Sequence, residues 1–109
     1  MDIRLYNLDR HENNLLVCSP WSHSCTIHSH HLVPIDHGYC LPRKTTRVFP
    51  QWCWLHWNHS KVPLSQEMKD YLYHLDIESD IALLHEYLPS LEEAALDTLR
   101  ITTLWLQLV

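Results

Sequence analysis

Glycine is almost missing from this chain: Gly38 is the only one in 109 residues. A loop that cradles phosphates with consecutive backbone amides needs several glycines, so these residues encode no such lid. Lysine is scarce too, with Lys44, Lys61 and Lys69 alone. No apolar run approaches the roughly 20 residues that cross a bilayer. The opening MDIRLYNLDRHENN is too polar and acidic for a secretory signal, so a cytoplasmic position is expected. From His37 to Gln66 there is no acidic residue, although the chain holds 13. That stretch carries Arg43, Lys44, Arg47 and Lys61, a locally positive segment within a net charge of -5. It suits phosphates on a headgroup or a membrane surface. With so few basic residues, no nucleic-acid partner is expected.

An apolar fraction of 46% argues for a folded chain, and the length allows one domain or part of one. The runs LLVC at 15–18 and LVPI at 32–35 read as two short strands around a wide polar loop, with Asn14 entering the hairpin and Asp36 leaving it. Pro34 suits a strand end. Residues 38–64 show no clean period, and Phe49, Trp52, Trp54 and Trp57 crowd into FPQWCWLHW. This predicts a long loop with aromatic anchors, buried or interfacial. Ser65 is placed to cap a helix whose inward residues are Met68, Tyr71, Leu72 and Leu75. A second helix is expected over about 79–88, with Leu84 and Leu88 inward. A third follows Pro89, opened by a Ser90–Glu93 capping box and presenting Leu91, Ala95, Leu99 and Leu106 to one side. The expected fold class is therefore α+β: a hairpin, an aromatic loop and about three helices.

The chemistry concentrates in D-R-H-E-N-N. Asp9 and Asn14 are five residues apart, the separation found in kinase catalytic loops, where the Asp orients the attacking hydroxyl and the Asn helps hold magnesium. A second carboxylate, Asp36, arrives in I-D-H-G after the second strand. A hard divalent ion wants oxygen ligands, and an amide and a carboxylate at two ends of one hairpin can converge on it. Gly38 is expected to give the backbone the freedom to leave the site sharply.

In this order the segments NLDRHENNLLV (7–17) and LVPIDHGYCLP (32–42), then W-L-H-W at 54–57 and P-L-S at 63–65, resemble the phosphatidylinositol 3/4-kinase catalytic domain, with the plant-type, type II-like gamma class of phosphatidylinositol 4-kinases the nearest match. The resemblance covers essentially the whole chain. It implies a partial kinase C-lobe: catalytic and metal-binding loops in 1–37, an activation-loop-like segment in 38–64 and a helical part in 65–109. It also implies transfer of the ATP γ-phosphate to the inositol 4-hydroxyl of phosphatidylinositol at a membrane surface. Asp9 and His11 take the catalytic positions, and Asn14 and Asp36 take those of the ligands to Mg²⁺ (or Mn²⁺) in the ATP site. Arg43, Lys44 and Arg47 face the lipid headgroup. Arg10 braces the loop or touches substrate, and His37 is structural. Asn13 stands where the family has a small residue, a position that left-handed geometry would suit.

The glycine-rich lid and its phosphate-binding lysine are not in these residues, so the isolated chain is expected to be inactive. Two other readings compete. Exposed apolar surface would make it a non-catalytic interaction fragment that docks an N-lobe or a protein partner. Alternatively, Cys18, Cys25 and His28 or His30 would form a small zinc module, although the gap from Cys18 to Cys25 is wider than structural-zinc pairs use. Zinc is therefore not the expected metal. The four cysteines are expected to be thiols rather than disulfides.

Overall fold

The computed structural model describes residues 1–19, 30–44 and 49–109. A compact turn at residues 1–7 opens the chain, held by Leu5 N–H to Met1 O and Asn7 N–H to Asp2 O. Two strands follow, β1 (Leu15–Cys18) and β2 (His31–Pro34), then three helices, α1 (Gln66–Tyr73), α2 (Ile77–Tyr87) and α3 (Glu93–Gln107). The strands pair antiparallel, with Leu15 opposite Pro34 and Cys18 opposite His31. Pro34 therefore ends its strand, where its missing N–H costs the ladder nothing. The second strand begins one residue earlier than its apolar run, taking in His31 and leaving Ile35 outside.

Residues 49–64 form a loop containing two short 3-10 turns, Cys53–His56 and Asn58–Lys61. Two of its tryptophans anchor it inward. Trp52 and Trp54 stack with centroids 5.3 Å apart, and Tyr6 meets the Trp52 ring edge-on. Each indole N–H is bonded, Trp52 Nε1 to the Asn7 carbonyl at 2.6 Å and Trp54 Nε1 to Asp2 Oδ2 at 3.0 Å. Phe49 lies open to solvent, and so does much of Trp57.

The helices differ from the sequence pattern in instructive ways. Ser65 caps α1 as expected, its hydroxyl accepting from the Met68 N–H. Met68 and Tyr71 are nonetheless exposed, and only Leu72 and Leu75 turn inward. Helix α2 starts earlier than position 79 because Asp76 caps it through the Ser79 N–H. Its one buried side chain is Ile81, whereas Leu88 is exposed. No capping box forms at α3, whose N-cap is Glu92 without a side-chain bond. Ala95 and Leu99 are buried there, joined by Leu96.

Three threonines of α3 are also buried, and they hold the core to the site. Thr98 Oγ1 donates to the Pro42 carbonyl at 2.8 Å, and Thr102 Oγ1 donates to the Arg4 carbonyl. Thr103 Oγ1 accepts from Arg4 Nε at 3.1 Å, and the far end of that guanidinium pairs with Asp80 on α2. One helix thus bolts down both the N-terminal turn and the chain leaving β2.

Candidate active site

The site is built on two crossing segments, residues 5–14 and 35–41. Leu8 N–H donates to Tyr39 O at 3.1 Å, Leu41 N–H to Leu5 O at 2.7 Å, and Ile35 N–H to Asn14 O at 3.0 Å. The residue that closes this crossing is Arg10, which is fully buried. Its Nη1 donates to the carbonyls of Asn14 (2.8 Å) and Ile35 (2.6 Å), and its Nε donates to Asp2 Oδ1 at 2.9 Å. Nη2 stands 3.1 Å from His37 Nδ1. A guanidinium can only donate, so that imidazole nitrogen accepts. The Arg10 carbonyl takes the Cys53 N–H at 3.0 Å, tying in the aromatic loop as well. Such a charge would be expensive to bury without a counter-ion and a full set of acceptors, and Asp2 with two carbonyls provides them. Of the two roles open to Arg10, the structure shows bracing, and His37 is part of the brace.

Around this clamp stand the four side chains that the sequence singles out. Asn14 is buried; its Nδ2 donates to the Asp9 carbonyl at 2.9 Å, which directs Oδ1 away from that bond. Asp36 is exposed one residue beyond the clamped Ile35 carbonyl, in left-handed geometry at φ 52°. Its Oδ1 accepts the Gly38 N–H at 3.4 Å. Gly38 itself has no positive φ, and a Cβ there would meet Asp36 Oδ1 at an ordinary 3.5 Å. The sharp exit expected of Gly38 is therefore made by Asp36, an aspartate being among the residues that tolerate this region. Asn13 likewise needs no left-handed geometry, since it lies within the 3-10 turn Glu12–Asn14.

Asp9 and His11 are half-exposed neighbours, with His11 Nε2 3.7 Å from Asp9 Oδ2. His11 Nδ1 accepts the Asn13 N–H at 3.2 Å and caps the 3-10 turn, so the ring's hydrogen sits on Nε2 toward Asp9. Asp9 is oriented from behind by Asn7, a fully buried residue whose Oδ1 accepts the Asp9 N–H at 2.9 Å. Beside His11 opens a cavity of about 400 Å³ walled by Glu12, Gln51, Trp52, Cys53 and His56. On the inner side, burial pushes the Cys40 thiol above its ordinary pKa, against the opposing pull of the Arg10 charge.

An amide oxygen and a carboxylate at the two chain ends joined by the Asn14–Ile35 bond form a donor set that suits a hard, oxygen-preferring cation. Among the described residues there is no cluster of three His, Cys, Asp or Glu side chains arranged for a metal. Cys25 and His28, needed for the zinc reading, lie outside the described residues, as does Arg47. The other two basic positions differ. Arg43 is engaged by Glu92 at the start of α3, while Lys44 is exposed. Asp2, Asn7, Gln51 and His56 were not singled out in the sequence. Asp2 was invisible because its partner Arg10 meets it only after the chain turns back on itself. No helix among the described residues is long and apolar enough to cross a membrane.

Comparison with known proteins bears on the family. The family model for phosphatidylinositol 3- and 4-kinase matches residues 1–109. Phosphatidylinositol 4-kinase gamma 2 of Arabidopsis thaliana is 42% identical over 106 residues, covering 97% of this chain and 18% of the relative. Phosphatidylinositol 4-kinase gamma 1 of the same plant is 40% identical over 109 residues, covering 98% of this chain and 19% of the relative. Phosphatidylinositol 4-kinase gamma 4 of Oryza sativa subsp. japonica is 39% identical over 107 residues, covering 98% and 18%. The chain spans less than a fifth of the length of these relatives. With its whole length matched, the chain belongs to the phosphatidylinositol 3- and 4-kinase family.

Proposed function

We propose that this chain carries the phosphoryl-transfer end of an inositol-lipid kinase acting on ATP and the 4-hydroxyl of phosphatidylinositol, and that it turns over little by itself. Residues 1–37 supply the catalytic and metal loops, 38–64 the activation-loop-like segment and 65–109 the helical support. The observation that carries this reading is the Arg10 clamp, which binds the Asp9–Asn14 loop to the Ile35–Asp36 turn through one nitrogen.

Asp9 accepts the proton of the attacking hydroxyl as its oxygen bonds to the γ-phosphorus and the bond to the ADP oxygen breaks. His11 offers its Nε2 hydrogen to the phosphoryl oxygens as charge spreads over them. Asn14 Oδ1 and the Asp36 carboxylate would hold Mg²⁺ or Mn²⁺. When bound, the ion neutralises phosphate charge. Lys44 and Arg47 meet the anionic headgroup, and Arg43 joins them only by leaving Glu92. Turnover stays low because the single glycine provides no lid over the phosphates, and positioning is a large part of this catalysis.

Titration of the 109-residue chain with Mn²⁺, followed by water-proton relaxation, tests the ligand pair. Asp36→Asn and Asn14→Ala are each expected to weaken binding about tenfold or more, the scale of losing a charge or a ligand atom at such a site. Wild-type affinity in both variants would remove the metal assignment. An assay with ATP and phosphatidylinositol should show turnover far below that of intact family enzymes, and comparable turnover would refute the low-activity reading.

A further inference from the structure

We propose that Asn7 is a positioning residue that fixes Asp9 in the pose from which it meets the attacking hydroxyl, a role that rests on the reading of Asp9 as proton acceptor. The two peptide groups of Asp9 are gripped by two buried asparagines. Its N–H donates to Asn7 Oδ1 at 2.9 Å, and its carbonyl accepts from Asn14 Nδ2 at 2.9 Å. Holding both groups restricts φ and ψ, and backbone angles decide which χ1 rotamers are open to a side chain. The rotamer present sets Asp9 Oδ2 3.7 Å from His11 Nε2. Asn7 is pinned in its turn through its own backbone. Its N–H donates to Asp2 O at 3.0 Å, and its carbonyl accepts from Trp52 Nε1 at 2.6 Å. Oδ1 of Asn7 is therefore a fixed reference point for the catalytic loop.

Two features set Asn7 apart from an ordinary turn residue. The side chain is fully buried, and its Nδ2 has no hydrogen-bond partner among the described residues. Stranding a buried donor costs more than one neutral hydrogen bond contributes, so the Oδ1 contact does not offset an asparagine here on stability alone. The second feature is the residue before it. Tyr6 is buried and sits in left-handed geometry at φ 45°, a strained conformation for a bulky side chain. Consecutive residues thus carry an orphaned amide and a strained backbone. Both weaken the fold, and both lie where they aim one oxygen at the N–H of Asp9. Stability alone accounts for neither, whereas a fixed Asp9 accounts for both.

NMR of the isotope-labelled 109-residue chain provides the test, with couplings to Asp9 Cγ reporting its χ1 rotamer. Asn7→Leu keeps the approximate shape while removing the acceptor and the orphaned amide together. Asp9 should then average over its staggered rotamers. Its amide should exchange faster by about fivefold or more, the scale of one hydrogen bond's net contribution. Amides of α3 should exchange at the wild-type rate, which a merely structural role for Asn7 would not allow. Asn7→Ala serves where the leucine does not fit. Asn7→Asp returns an oxygen to the same place and should restore the single Asp9 rotamer. If its buried carboxylate unfolds the chain, Asn7→Ser supplies the acceptor instead. Wild-type couplings at Asp9 after loss of the acceptor overturn the proposal. So does faster exchange spread through α3 in both deletion variants, or failure of both acceptor-restoring variants. The chemistry is tested apart from this. Residual transfer from ATP to phosphatidylinositol that is equal in the wild-type chain and in Asp9→Asn removes the proton-acceptor reading, while the couplings still decide whether Asn7 holds Asp9.

Discussion

The backbone N–H of Ile35 donates to the carbonyl of Asn14 at 3.0 Å, so the two ends of the hairpin meet at its base. Asn14 precedes the first strand directly and Asp36 follows Ile35, which brings an amide and a carboxylate onto neighbouring backbone. Arg10 then locks this junction from inside, one of its nitrogens donating to the carbonyls of both Asn14 and Ile35. The strands contribute the register, and the guanidinium contributes the permanence.

Arg10→Ala should therefore destabilise the chain by about 3–5 kcal/mol, the range for removing one member of a buried ion pair. Asp2 is left without its counter-ion, and two carbonyls lose a charged donor. Arg10→Lys should recover only part of this, because an ammonium on a thinner stem does not reproduce the fork. Urea unfolding followed by fluorescence measures both variants, and a change within about 0.5 kcal/mol, typical of a surface position, would contradict the clamp.

Thr102→Val preserves shape and deletes a fully buried hydroxyl that donates to the Arg4 carbonyl. We expect a loss of about 1–3 kcal/mol, the cost of stranding a buried acceptor. Because Arg4 belongs to the N-terminal turn, amide hydrogen exchange at residues 5–7 should speed up in the same variant. Unchanged exchange there would show that α3 does not hold this turn.

Acid should open α2 from its N-terminus. The Asp76 carboxyl is held below its ordinary pKa by the Ser79 backbone N–H and then by the Ser79 hydroxyl. A lowered folded pKa means that its contribution is complete above the unfolded value of about 3.9 and is lost as pH falls through the folded one. Asp76→Asn should flatten that part of the helicity–pH curve while retaining most of the cap. An identical acid transition in both proteins would show that another group controls it.

Much of the local structure was legible. The apolar runs placed both strands to within a residue, Ser65 marked its helix, and the order of D-R-H, strand, strand and I-D-H-G pointed to kinase chemistry. Period-based burial failed for Met68, Tyr71 and Leu88 because the helices of so small a chain share little core, leaving part of each apolar stripe uncovered. The buried threonines were missed for the opposite reason. A hydroxyl is counted as polar in any hydrophobic pattern, yet it is cheap to bury once a carbonyl accepts its hydrogen.

By itself, the order of residues determined the family resemblance, the element sequence and the identity of the oxygen-bearing side chains. Those depend on short-range spacing, which one-dimensional pattern captures. Tertiary structure alone decided that Arg10 braces rather than binds, that Asp36 rather than Gly38 makes the sharp turn, and that α3 turns its threonines inward. Each of these depends on which distant backbone groups arrive within about 3 Å, the reach of a hydrogen bond, and only the folded chain brings them there.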